Sequence, residues 1–210
     1  MKARNSSREK ASVPVRRRNA LETKHAILLS ARRAFARSGY DGVGVREIAK
    51  AAGVTGILVN RYFGSKEQLF SEVITSTMQE PGILTSEALA PGRDAGGVSH
   101  AIATALVSKT SPEGAQLDGF LILLRSASNE RAAFIWRKQI GRHYERSLAS
   151  RLSGPKNKER AGLILALIAG FQIMRQAIGA TSLSRADPEW MVDQLTDLFQ
   201  CLTAGKTPLA

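Results

Sequence analysis

Apolar residues recur at helical spacing along most of the chain, and no stretch keeps the period of two that marks a strand. The first such segment predicts a helix over residues 22–38 that Gly39 ends. The same spacing continues to residue 202. An all-α fold of about nine helices is therefore predicted.

Two short helices are predicted next, over residues 45–52 and 55–62, with a tight turn at Gly53 between them. Thr55 has the side chain of a good N-cap for the second. Two short helices joined in this way are typical of a helix-turn-helix motif, whose second helix enters the major groove of DNA.

The ends of the remaining helices are predicted from N-cap residues and from helix-breaking Pro and Gly. Ser65 and Gln68 form a capping box that begins a fourth helix, which runs to about residue 78. Pro- and Gly-containing segments then predict a loop region, at residues 81–82 and 91–97. Five further helices are predicted over residues 98–108, 111–127, 130–152, 158–178 and 188–202, with Asp187 as the N-cap of the last.

Positive charge is concentrated at the N-terminal end. The net charge is +12, and residues 1–70 carry 15 Lys and Arg against five Asp and Glu. This excess coincides with the helix-turn-helix, so DNA is the predicted partner. Three parts are predicted: a disordered basic arm (1–20), a DNA-binding domain (21–68) and a C-terminal regulatory and dimerisation domain (69–205). The arm either adds contacts through Arg16, Arg17 and Arg18 or is a flexible terminus without a role.

Several classes of protein are disfavoured by what the sequence contains. The single cysteine, Cys201, allows no intrachain disulfide, which favours a reducing compartment. The start lacks an apolar signal region, and the most apolar segment, 163–178, is interrupted by polar residues. We therefore expect a cytoplasmic, nucleoid-associated protein without a membrane partner. No pattern typical of an enzyme, a metal site or a bound cofactor is found, so none of these is expected.

The most specific motif lies between Thr23 and Phe70. It includes Gly39-Tyr40-Asp41-Gly42, Val45-Arg46-Glu47-Ile48-Ala49, Ala52-Gly53-Val54-Thr55 and Phe63-Gly64-Ser65-Lys66-Glu67-Gln68-Leu69-Phe70. Over this stretch the chain resembles the TetR-type bacterial transcriptional regulators. The resemblance implies a homodimer on a near-palindromic operator, with one recognition helix in each of two major grooves. It also implies a C-terminal domain that binds a small-molecule effector and relieves repression.

Three positions depart from the usual pattern of that family. Asn60 stands where members usually have Tyr, Tyr62 where they have His, and Gly44 where many have a capping Ser or Thr. The operator sequence is therefore not transferable from a relative.

Candidate base-reading residues lie on the predicted recognition helix. Asn60 can bond bidentately to adenine, and Arg61 either to guanine or to phosphate. Ile57 either contacts a thymine methyl or packs against the preceding helix.

Candidate contacts to the DNA backbone surround these positions. Thr55 and Gly56 lie at a helix N-terminus, where amides favour a phosphate. Tyr62 can offer its hydroxyl to a phosphate while its ring packs inward. Lys66 matches a lysine that reaches the DNA backbone in the family, or is an ordinary solvated lysine. Arg46 is a weaker candidate.

The C-terminal helices supply candidates for dimerisation and for ligand binding. The resemblance implies that the last two helices pair with those of a second copy, through Leu163, Leu167, Phe171, Met174, Met191, Leu195, Leu198 and Phe199. The candidate ligand-binding residues are Phe120, Leu124, Phe134, Trp136, Gln172 and Arg175. Gln172 and Arg175 interrupt an apolar helix, and an alternative is that they edge the dimer seam.

The pattern as a whole predicts a sequence-specific transcriptional regulator, acting as a repressor that a small-molecule effector releases from its operator. The effector is expected to tilt the fourth helix and so to change the spacing of the two DNA-binding domains of the dimer. An alternative is an architectural or weakly specific DNA-binding protein without an effector.

Overall fold

Helices make up most of the part of the chain that the structure describes. The computed structural model describes residues 12–80, 82–84, 88–90, 92–111 and 118–205, with side chains from residue 19 onward. Within these ranges no strand occurs, which confirms the all-α prediction. The helices are α1 Ser12–Ser38, α2 Val45–Ala51, α3 Gly56–Phe63, α4 Lys66–Gln79, α5 Ala95–Lys109, α6 Asp118–Ser126, α7 Glu130–Ile140, α8 Arg146–Ala149, α9 Asn157–Gln172, α10 Thr181–Ser184 and α11 Pro188–Thr203.

Three predicted N-caps are confirmed by their hydrogen bonds. The Thr55 side chain accepts from the backbone N–H of Leu58 at the start of α3, and Ser65 accepts from Gln68 at the start of α4. Asp187 accepts from the backbone N–H of Trp190 in the first turn of α11. Each bond satisfies a backbone donor that the helix itself leaves unpaired.

The first helix begins earlier than expected. It starts at Ser12 instead of Glu22, so residues 12–20 of the predicted arm are helical. Pro14 is compatible with this because it falls in the first turn, where a backbone N–H needs no partner within the helix. Residues 1–11 of that arm lie outside the described residues, as do the side chains of Arg16, Arg17 and Arg18.

The C-terminal helices are more divided than the sequence predicted. The helix expected over 130–152 is interrupted by a π-helical turn, Gly141–Glu145, and the one expected over 158–178 ends in another, Ile173–Ala177. The short helix α10 was not predicted. α5 begins at Ala95, three residues early, because Asp94 caps it through the backbone N–H of Gly97. Residues 112–117, where the sixth predicted helix should begin, lie outside the described residues.

The first of two hydrophobic cores joins the N-terminal helices to the C-terminal half. Phe35, Tyr40 and Phe70 form its centre, and the Phe70 ring meets each of the other two edge-on with centroids 4.9 Å apart. Ile122 of α6 and Ala132 of α7 are fully buried in the same core. The helix-turn-helix therefore packs onto α6 and α7 as well as continuing into α4.

The second core is formed by α5, α8, α9 and α11. Met191, Leu195 and Phe199 of α11 are buried in it, at 2%, 8% and 0% exposure. Assigning these three side chains to a dimer seam was therefore wrong, since they are already covered within one chain, where α11 packs mainly on α5.

Candidate nucleic-acid interface and ligand cavity

The recognition helix α3 buries one face and exposes the other. Val59 and Phe63, four residues apart, are buried in the first core. The face opposite carries Ile57, which is 83% exposed, together with the exposed Asn60 and Arg61. The alternative in which Ile57 packs against the preceding helix does not occur. All three proposed base-reading side chains therefore reach the solvent from one short helix.

Most of the proposed backbone contacts lie near the ends of this helix, while Arg46 lies on α2. Thr55 and Arg46 are exposed, while Gly56, Tyr62 and Lys66 are half-buried. Tyr62 packs against the first core. The Lys66 ammonium lies 4.4 Å from the centroid of the Tyr40 ring, which holds this cation beside the start of α4.

Burial shapes the chemistry behind this surface. Tyr40 is 5% exposed, and burial, followed by the negative charge of Glu67, raises the pKa of its hydroxyl to about 12. The hydroxyl is therefore protonated throughout the physiological range. Its ring thus remains a neutral platform under the Lys66 ammonium.

The predicted DNA-binding domain (residues 21–68), called the head below, is fixed to α6 by close polar contacts. Gly39 has a φ of +68°, and a Cβ added there would lie 2.2 Å from the carbonyl oxygen of Arg125. The next residue, Tyr40, donates its backbone N–H to the Oγ of the buried Ser126 at 3.0 Å. The Arg125 guanidinium donates to the carbonyl oxygen of Ala36.

Two exposed pairs reinforce the same junction. Asn129 Nδ2 donates to Asp41 Oδ1 at 2.8 Å, and Arg131 Nη1 lies 3.1 Å from Glu67 Oε1. Exposed pairs contribute little energy singly. Their value here is geometric, because they fix the orientation of α7 against the head.

A cavity of about 540 Å³ lies beneath this junction. That size is typical of small-molecule sites. Three of the predicted ligand-binding residues, Phe120, Trp136 and Gln172, are buried and line it together. Leu124 and Phe134 do not line it, being 41% and 61% exposed on the outside of α6 and α7. The other lining residues include Thr77, Met78, Ile83, Ile140, Tyr144, Leu165 and Ile168.

The charged residues of this cavity wall are paired with one another. Arg32 of α1 donates through Nε to Asp118 Oδ2 at 2.7 Å and through Nη2 to Glu80 Oε2 at 2.6 Å. The hydrogen bonds from Arg32 lower the pKa of Glu80, and those to the two carboxylates raise that of Arg32. The cluster thereby ties α1 to the end of α4 and the start of α6.

Three neutral polar groups of the cavity, on Trp136, Tyr144 and Gln172, lack hydrogen-bond partners among the described residues. The Trp136 Nε1–H is buried without a hydrogen-bond acceptor. Within the described residues, neither the Tyr144 hydroxyl nor the Gln172 amide makes a hydrogen bond, and burial raises the pKa of Tyr144. A buried polar group without a partner costs stability. These three groups are therefore available to a bound molecule.

Arg175 lies elsewhere, in a second cavity of about 570 Å³ between α5 and α11. Its side chain is 5% exposed and reaches the end of α5, where Nη1 donates to the carbonyl oxygen of Val107 at 2.7 Å. The helix expected to present Gln172 and Arg175 to one pocket thus presents them to two.

An apolar face remains uncovered on α9 and on the π-helical turn that follows it. Leu163, Leu167 and Met174 are 54%, 38% and 42% exposed, and Phe171 is half-buried. On α11, Leu198 is 52% exposed. These are the members of the predicted dimer seam that one chain leaves accessible.

Sequence reasoning missed the charged residues that line the first cavity. Arg32 lies on α1, Glu80 directly after α4 and Asp118 at the start of α6, and only the tertiary fold brings them together. An Arg on an amphipathic helix gives no signal that distinguishes it from a solvated one. Among the described residues, no helix is long and apolar enough to cross a membrane.

Two family models match the chain. The model for bacterial regulatory proteins of the tetR family matches residues 27–73, and the model for the tetracyclin repressor-like C-terminal domain matches residues 97–202. A comparison with curated proteins finds no match.

Solved structures agree in fold. A TetR-family regulator from Streptomyces coelicolor A3 has a TM-score of 0.62 and 24% identity, covering 94% of this chain and 99% of its own. NalD of Pseudomonas aeruginosa, the secondary repressor of the MexAB-OprM multidrug efflux pump, has a TM-score of 0.63 and 20% identity, covering 90% and 100%. AibR, in complex with isovaleryl coenzyme A and operator DNA, has a TM-score of 0.56 and 18% identity, covering 84% and 97%.

The matched models span the helix-turn-helix and most of the C-terminal half. TetR-family regulators are DNA-binding transcriptional repressors and are often ligand-responsive. The chain belongs to the TetR family of bacterial regulatory proteins.

Proposed function

We propose that this protein is a homodimeric repressor that leaves its operator when a small molecule occupies the first cavity. The observation that carries the proposal is the composition of the cavity wall. Arg32 of α1 and Met78 of α4 share it with Phe120, Trp136 and Gln172 of the C-terminal half. A ligand in this cavity contacts α1 and α4, which belong to or continue from the head, and also α6, α7 and α9 of the C-terminal half.

The same wall defines the chemistry of the effector. Its cation, Arg32, is already bonded to both Glu80 and Asp118 and is not free to pair with an anion, whereas Trp136, Tyr144 and Gln172 offer unused neutral groups. The preferred ligand is therefore uncharged and largely apolar, with an acceptor for the indole N–H. The isovaleryl coenzyme A bound by AibR carries phosphates, for which this cavity has no unpaired cation among its described lining residues.

The contacts at the junction suggest how binding is transmitted. Gln139 of α7 donates to Ser71 Oγ at 3.3 Å and to Thr75 Oγ1 at 3.1 Å, both on α4. The head is bonded to α6 and α7 as well, so a shift of these helices by the ligand moves the head with them. Release requires the effector to prefer the head spacing that does not fit the operator.

Dimerisation is assigned to the exposed apolar face of α9. Leu167→Glu is expected to shift the protein to a monomer in analytical ultracentrifugation, because a charge buried in a seam is costly. Leu124→Glu is the matched control, since Leu124 is similarly exposed but lies on α6. Dissociation by both variants, or by neither, contradicts this assignment.

The DNA-binding test is a selection of genomic fragments by the purified protein at near-physiological salt, followed by footprinting. A short palindrome is expected. Enrichment without a common motif would instead favour an architectural, weakly specific role.

The selected DNA then separates the roles of two residues. Asn60→Ala should weaken binding to the operator while sparing random DNA, whereas Lys66→Ala should weaken both. Equal losses on both DNAs for Asn60→Ala would remove this residue from the base-reading set.

The effector test measures thermal shifts and operator affinity with a panel of neutral and charged apolar compounds. A compound that stabilises the protein and releases the operator supports the proposal if Gln172→Leu and Trp136→Phe weaken its binding. A confirmed ligand of this cavity that leaves operator affinity unchanged would contradict the switching scheme.

A further inference from the structure

The second cavity contains a buried cation without a counter-ion. Arg175 is 5% exposed, yet no acidic side chain in the described part of the chain forms an ion pair with it. Consistent with this, burial is what lowers the pKa of Arg175. Burying a charge is costly unless it is paired. The site is therefore short of one negative charge.

Part of the compensation comes from the end of α5. Arg175 Nη1 donates to the carbonyl oxygen of Val107 at 2.7 Å and to Thr110 Oγ1 at 3.2 Å. A cation is favoured at a helix C-terminus, where carbonyl groups are unpaired. These bonds use one of the three guanidinium nitrogens. Nε–H is buried without a partner, and no described residue accepts from Nη2.

The backbone that carries Arg175 is itself unusual. Residues Ile173–Ala177 form a π-helical turn at the end of α9. Such turns are rare and occur frequently at functional sites. The turn places a residue of a largely apolar helix against α5.

The charges around the cavity select among anions. Val107, Pro188 and Val192 supply apolar wall, while the exposed carboxylates Glu189 and Asp193 also line it. A ligand with one negative charge gains at Arg175, but each further charge meets repulsion from these carboxylates. The hydroxyls of Thr104, Ser108 and Ser111, with His100, complete the polar lining.

We propose that the second cavity binds an apolar monocarboxylate, with its carboxylate on the Arg175 guanidinium and its chain against Val107 and Val192. Planar guanidinium and carboxylate groups are complementary and form strong charge-assisted hydrogen bonds. This site is distinct from the effector cavity of the proposed function and is lined by different residues.

The test is isothermal titration of the full chain with octanoate, 1-octanol and octyl phosphate. Octanoate should bind about tenfold or more tightly than octanol, and Arg175→Met should remove that advantage. Octyl phosphate should bind more weakly than octanoate. Absence of octanoate binding, or equal binding of octanol, overturns the proposal.

Arg175 also bonds to the C-terminal end of α5, so replacing Arg175 disturbs that helix end as well as the anion site. A second variant therefore leaves Arg175 unchanged. Glu189→Gln with Asp193→Asn changes two exposed side chains, and should strengthen octanoate binding about two- to threefold and octyl phosphate binding more. Unchanged affinities in this double variant would show that the carboxylates do not face the bound anion, and would overturn the proposed selectivity for one charge.

Gln172→Leu separates this proposal from the effector proposal. It alters the first cavity and should leave octanoate binding unchanged. Loss of octanoate binding in Gln172→Leu but not in Arg175→Met would place the ligand in the first cavity. The second site would then be refuted while the effector cavity would stand.

Discussion

The junction between the head and α6 can be tested with a matched pair of glycine substitutions. Gly39 and Gly53 have nearly the same left-handed backbone, with φ of +68° and +69°. A Cβ at Gly53 would meet nothing within 4 Å, whereas at Gly39 it would lie 2.2 Å from the Arg125 carbonyl oxygen. Alanine therefore introduces the same backbone strain at both positions and a collision at only one.

The expected losses follow from these two terms. A left-handed non-glycine residue costs about 1–2 kcal/mol, which is the whole expected effect of Gly53→Ala. In Gly39→Ala, α1 must also move away from α6, which breaks the bond from the Tyr40 amide to Ser126. Leaving that buried donor unpaired adds about 1–3 kcal/mol. The total for Gly39→Ala is about 2–5 kcal/mol.

Urea denaturation followed by circular dichroism measures both variants, at one protein concentration because a dimer gains stability by mass action. Gly39→Ala should unfold at clearly lower urea than Gly53→Ala, with the same slope. Equal free energies of unfolding would show that α1 and α6 adjust without loss, and would refute the account of a tightly fitted junction.

Three further predictions concern the head and its junction with α6. Ser126→Ala removes only the acceptor of the Tyr40 amide and should cost about 1–3 kcal/mol in the same assay, since the donor stays buried. Thr55→Ala should cost about 1 kcal/mol through loss of the α3 cap, and Thr55→Ser should restore most of it. The folded Tyr40 hydroxyl has a pKa of about 12, above its unfolded value of about 10. The stability that comes from this raised pKa is complete below pH 10 and is lost as pH rises towards 12. Tyr40→Phe should therefore reduce the fall in melting temperature between pH 10 and pH 12. An unchanged fall would exclude Tyr40 as its source.

Local signals in the sequence identified much of the DNA-binding half. Thr55 and Ser65 are side chains that cap helices by themselves, and Gly53 supplies a backbone conformation that other residues avoid. Such features act over three or four residues, so they can be predicted without knowledge of the tertiary fold. The sequence left open whether Ile57 faces the solvent or packs against the preceding helix, and the structure places it in the solvent.

The sequence did not predict which partner covers each apolar helix face. Met191, Leu195 and Phe199 have the spacing of a seam, but periodicity does not distinguish a neighbouring helix of the same chain from one of a second copy. Gln172 and Arg175 likewise line two different cavities because of a π-helical turn that the sequence pattern did not predict. Arg32 meets carboxylates 48 and 86 positions away.

The close fit of Gly39 and Tyr40 against α6 bears on how far the reading heads travel. If the head swung freely at the start of α4, its displacement would depend on a flexible hinge and much of an applied motion would be dissipated there. In the proposed dimer, a head bonded along α6 and α7 would instead move as a rigid extension of these helices, turning about the contact between the two copies. A rotation of a few degrees about that contact is then magnified at α3 in proportion to its distance from the axis. Sensitivity to small structural changes near the cavity would thus be a mechanical property of the junction, adjustable by substitutions that touch neither DNA nor ligand.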